Sequence, residues 1–85
     1  MARNSHNDLL LTANLMASLA LHLKTLVKLI SARPVDALTL DRLVQKVLDE
    51  SNKKVSVENR KSHWEYLLKN EIFTFAVRIA GSLFD

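Results

Sequence analysis

Cysteine is absent from this chain. Disulfides and cysteine-ligated zinc sites are therefore excluded, and the absence fits a reducing, cytoplasmic setting. Glycine and proline occur once each, as Gly81 and Pro34. Sheet proteins spend these residues on hairpins and bulges, so a β-rich fold is not expected. A lone glycine also excludes phosphate-cradling loops, which need several glycines to let backbone approach the phosphate. It excludes the strained nucleophile elbow of the α/β hydrolases for the same reason. His6, His22 and His63 stand in no metal-ligating spacing. Asp41, Asp49 and Glu50 read as the solvated face of a helix. No cofactor, metal or small-molecule substrate is expected, and the chain reads as non-enzymatic.

Charge is missing from one stretch. Residues 9–23, LLLTANLMASLALHL, carry no formal charge. A helix of this composition cannot stand alone in water. It needs cover from the rest of the chain, a second copy, another partner or lipid. A secretory signal wants a basic start and a clean apolar centre. Here Asp8 offsets Arg3, and Thr12, Asn14, Ser18 and His22 interrupt the apolar run. Lys24 and Lys28 cut it short of a spanning helix. A membrane partner is therefore not the expectation.

What is present is helix-forming. The 85 residues are 48% hydrophobic and 25% charged, with a formal net charge of +3. That is an ordinary folded composition, with leucine, alanine and lysine prominent. A chain this short makes one domain with a marginal core. The expected architecture is all-α: a small bundle of three to four helices around a long, largely buried N-terminal helix. Residues 1–7 read as a loose N-terminus, with Ser5 and Asp8 in capping-box spacing and Asn7 as an alternative cap. The first helix spans about residues 8–32 and stops before Pro34. The second spans about 40–51, capped by Asp36 or Thr39. Leu40, Leu43, Val44, Val47 and Leu48 form its apolar stripe. Ser56 is the expected cap of a third helix that reaches at least residue 69. Asn70 either breaks it, with a fourth helix over 71–83, or bends one helix spanning 57–83.

Two apolar patterns exceed what a small core requires. In the first helix Leu9, Ala13, Met16, Ala20, Leu23, Val27 and Ile30 alternate in steps of four and three, which is a heptad seam. Yet Leu10, Leu11, Leu21 and Leu29 fall on the opposite side, among Asn14, Ser18, Thr25 and Lys28. Leu10, Leu21 and Leu29 are the expected self-association residues. Toward the C-terminus Trp64, Leu67, Leu68, Ile72, Phe75, Ala76, Ile79 and Leu83 share one broad helical face and read as core. Tyr66, Phe73, Val77 and Phe84 form a second line if the helix is continuous. A break near Asn70 would rotate and bury both lines; otherwise the second line is a partner surface, since exposed apolar patches mark interaction sites.

The expected function is a helical protein–protein interaction module, a homo-oligomeric regulator or adaptor. The runner-up is a DNA-binding regulator with a helix-turn-helix-like segment around residues 40–69. Lys53, Lys54, Arg60 and Lys61 would meet phosphate or guanine, and Asn59 could reach adenine. Against it stand a turn longer than usual, the lack of a turn glycine, and Glu58 and Glu65 on the reading helix.

Overall fold

The computed structural model describes the backbone of residues 5–84 and the side chains of residues 10–84. Among these residues every regular element is helical. Helix α1 is Ser5–Ser31 and α2 is Ala37–Lys53. A short 3-10 turn, Val57–Asn59, leads into α3, Arg60–Tyr66. A wide π turn, Leu67–Glu71, joins α3 to α4, Ile72–Leu83, so residues 57–83 are one interrupted helical run. The helix starts at Ser5, inside the stretch expected to be loose. The capping side chains expected at Ser5, Asn7 and Asp8 lie outside the described side chains.

Three contacts give the direction of each helix. Lys24 on α1 forms an exposed ion pair with Asp41 near the start of α2. Asn52 near the end of α2 sends its amide to the Met16 sulfur, 3.8 Å away. Thus α2 runs antiparallel to α1 and ends beside Met16. The Arg33 guanidinium, just past α1, lies 3.6 Å over the Phe84 ring, so α4 runs parallel to α1. The result is an up-down-up bundle measuring 51 × 20 × 19 Å. Its long axis reflects α1, whose 27 residues span about 40 Å. The turns of α1 before Met16 reach past the end of α2.

Local chemistry sets the helix ends. Ala32 takes φ 54, a left-handed cap that usually falls to glycine. Pro34 follows at once and prevents any return to helix. Asp36 caps α2, earlier than the predicted start at Leu40. Its carboxylate accepts from the Thr39 amide at 2.9 Å and from the Thr39 hydroxyl at 2.8 Å. Those bonds, with Arg42 adding a smaller attraction, hold the Asp36 carboxyl below its ordinary range. A depressed folded value means that this stability is present above the unfolded value of about 4 and is lost as pH falls through the folded one. Asp36→Ala should therefore lower the melting temperature at pH 7. Circular-dichroism melts should show the gap to wild type narrowing below about pH 4. The predicted cap at Ser56 is not made: Ser56 has the extended backbone of a cap but no side-chain bond to the helix amides. Its hydroxyl accepts instead from the Asn59 side chain at 3.0 Å.

The core is apolar throughout. Leu19, Leu23 and Val27 from α1 meet Leu40, Val44 and Leu48 from α2. Trp64, Leu67, Ala76 and Ile79 close it from the third run. The predicted stripe of α2 is the observed one. The predicted C-terminal face is also buried or half-buried at every position. The wide turn makes this fit. Without it, Trp64 and Leu67 would be about 120° out of phase with Ala76 and Ile79, twelve residues on. One extra residue in the turn removes most of that offset. Asn70 sits in the turn and donates from its side chain to the Tyr66 carbonyl at 3.2 Å.

The expectation of a largely buried N-terminal helix is corrected. Only a stripe of α1, Leu19, Leu23 and Val27, is buried among its described residues. Leu15, Met16, Ala20, Leu26 and Ile30 are half-buried, and Ala13 in the proposed seam is exposed. The reason is geometric. Two neighbouring helices cover one side of a third, and α2 stops beside Met16.

Candidate interaction surfaces

The helices carry their uncovered apolar residues on two surfaces. On α1, Leu10 is 50% exposed, Leu21 64% and Leu29 72%. These are the predicted self-association residues, and Leu11 joins them. They form two strips. Leu10, Asn14, Ala17 and Leu21 follow steps of four, three and four, and all are exposed. Leu11, Ser18, His22 and Leu29 follow steps of seven, four and seven along the adjoining edge. The α2 contact at Met16 falls on the other side of α1, while Lys24, seven residues after Ala17, borders the first strip.

On the third run, Tyr66, Phe73, Val77 and Phe84 are all exposed. The wide turn separates them without burying them. It places Tyr66 about 100° around the helix from the other three. Phe73, Val77 and Phe84 form an edge of α4, and Phe75, Arg78 and Ser82, on the opposite edge, border Val47 of α2. The Phe73 edge and the Leu29 edge both point away from α2. They therefore flank the α1–α4 contact on one face of the bundle. Phe84 is already partly covered by Arg33.

The sequence reasoning missed two exposed apolar residues, Leu38 and Val57. Leu38 falls in the first turn of α2, ahead of the expected helix start at Leu40. Val57 opens the 3-10 turn.

The proposed nucleic-acid residues are only partly presented together. Lys53, Lys54 and Lys61 are exposed. Arg60 is half-buried, and its Nε has no hydrogen-bond partner among the described residues. The Asn59 side chain is held by Ser56. Nearby, Ser51 Oγ and His63 Nε2 share a part-buried hydrogen bond of 2.7 Å across α2 and α3.

Two observations bound other chemistries. Among the described residues no group of three or more His, Asp or Glu could hold a metal ion. The stretch Leu10–Ser31 is long and apolar enough to cross a membrane, with mean hydropathy 1.4 and 17% of its most apolar window buried.

No protein-family model matches this chain, and no curated protein or solved structure matches it.

Proposed function

We propose that this chain is a small, non-enzymatic helical interaction module that associates with itself through α1 and acts as a regulator or adaptor. The exposure of Leu10, Leu21 and Leu29 on a helix face without charge before Lys24 carries this reading. In the assembly α1 becomes the buried central helix that it is not within one chain. The Phe73, Val77 and Phe84 edge, with Tyr66 apart from it, is the surface for a further protein partner. Light scattering of wild type and Leu21→Glu tests self-association, and a monomer mass for both would overturn it.

The exposure of Lys53, Lys54 and Lys61 favours a second reading, contact with DNA. Duplex binding at low salt should then weaken steeply, by about fortyfold between 50 and 200 mM for three phosphate contacts, as these release counterions. A gel shift that is absent at low salt would remove this reading.

A further inference from the structure

Ser56 closes the sequence Lys53-Lys54-Val55-Ser56, with lysines three and two positions before it. Both lysines are exposed, and so is Ser56. The serine lies between α2 and the 3-10 turn on extended backbone, with φ -63 and ψ 156. Its side chain makes no bond to the helix amides. Its oxygen accepts from the Asn59 side chain, a bond that leaves the hydroxyl proton unused. We infer that Ser56 is a phosphorylation site, recognised by a serine/threonine kinase whose peptide cleft is acidic. The inference is independent of self-association through α1.

A kinase must bring the acceptor oxygen in line with the γ-phosphorus of ATP. A hydroxyl on an exposed, non-helical segment can enter such a cleft; one on a packed helix must first unfold. Charge patterns around the acceptor then select the kinase. Other hydroxyls near basic residues are placed differently. Ser31 follows Lys28 by three, but it ends α1 and its Oγ is buried. Ser62 follows Arg60 and Lys61, but within α3. Thr25 and Ser82 donate to carbonyls of their own helices. The lysines before Ser56 reach a cleft with little unfolding. Lys53 ends α2. The next two amides, of Lys54 and Val55, bond to the Ser51 and Asn52 carbonyls at 3.2 Å each. Such helix ends open at low cost.

In the transfer Ser56 Oγ attacks the γ-phosphorus of ATP. The Oγ–P bond forms as the bond from that phosphorus to the β–γ bridging oxygen breaks. ADP leaves with that electron pair, and the hydroxyl proton passes to the catalytic-loop aspartate of the kinase. The product carries about −1.5 to −2 charge at pH 7. It enters the segment that holds Lys53, Lys54, Arg60 and Lys61, and offsets about half of their positive charge. Modification therefore opposes contact between this segment and a polyanion.

The test incubates the full chain with ATP and the catalytic domain of a kinase that selects basic residues before its acceptor. Intact mass should show one added phosphate, and peptide mass spectrometry should place it on Ser56. Ser56→Ala should take up none, and Ser62→Ala should still take up one. Lys53→Gln combined with Lys54→Gln keeps the acceptor. It should lower kcat/KM for phosphorylation by about tenfold or more, because two charge-assisted contacts are lost. All these positions are exposed, so the helical circular-dichroism spectrum should not change. An unmodified wild type, phosphate on Ser62 instead, or an unchanged rate for the double lysine variant would overturn the assignment.

Discussion

Leu21→Glu is expected to lower the native mass of the proposed self-assembly to that of a monomer while leaving each chain folded. Leu21 is 64% exposed within one chain, so a carboxylate there meets water and displaces no core atom. Surface substitutions of this kind usually change stability by about 0.5 kcal/mol or less. In the proposed self-assembly the same position is covered. Each copy then loses the burial of the exposed part of one leucine, about 1–2 kcal/mol. Between two symmetric copies the loss doubles, and two carboxylates must also leave water. The sum is at least about 2–4 kcal/mol, a weakening of roughly thirty- to seven-hundredfold in Kd. Light scattering should show the native mass falling to the monomer's, with an unchanged helical circular-dichroism spectrum. Loss of the helical signal together with the mass would mean that Leu21 supports the fold instead, contrary to its exposure.

The second large effect lies inside the bundle. Trp64 is 0% exposed and is the largest fully buried side chain. It belongs to the part of the core that closes over the α1 stripe. Trp64→Ala removes the indole and leaves a cavity, for which such substitutions cost about 3–5 kcal/mol. A domain of this size has a total stability of roughly 4–13 kcal/mol. The variant should therefore melt well below wild type or lose its cooperative melt. Trp64→Phe is the informative control. The indole N–H has no hydrogen-bond partner among the described residues, so phenylalanine removes a buried, unsatisfied donor along with some volume. Urea titration should place the Phe variant between wild type and the Ala variant, because the benzyl ring keeps most of the indole volume. Equal losses for the two variants would show that indole volume does not hold the core together.

The helical class was legible from one glycine, one proline and the apolar periodicity. The α2 stripe was legible because one face is apolar and the other charged, so no second arrangement competes. The cover of α1 was not. Its apolar residues lie on every side, and a helical wheel cannot say which third of them a neighbour will take. The heptad seam pointed to Leu9, Ala13 and Met16 equally with Leu23 and Val27. The observed stripe follows steps of four through Leu19, Leu23 and Val27, because α2 and α4 straddle that line. Leu10, Leu21, Leu29, Phe73 and Val77 were singled out because they contradict the polar side of their own helices. That contradiction holds however the helices pack. The separation of Tyr66 from Phe73 was not legible, because an extra residue in a turn leaves no trace in propensity. Asn70 was the only hint of it.

That extra residue makes the wide turn a buffer for chain length in the C-terminal third of the molecule. Deleting one residue within Leu67–Glu71 would restore plain α-helix and leave Trp64 and Ala76 about 20° out of phase, so α4 would keep its orientation. Phe73 and Val77 would stay on the face they share with Leu29. A single codon lost there would be absorbed without turning any edge of α4.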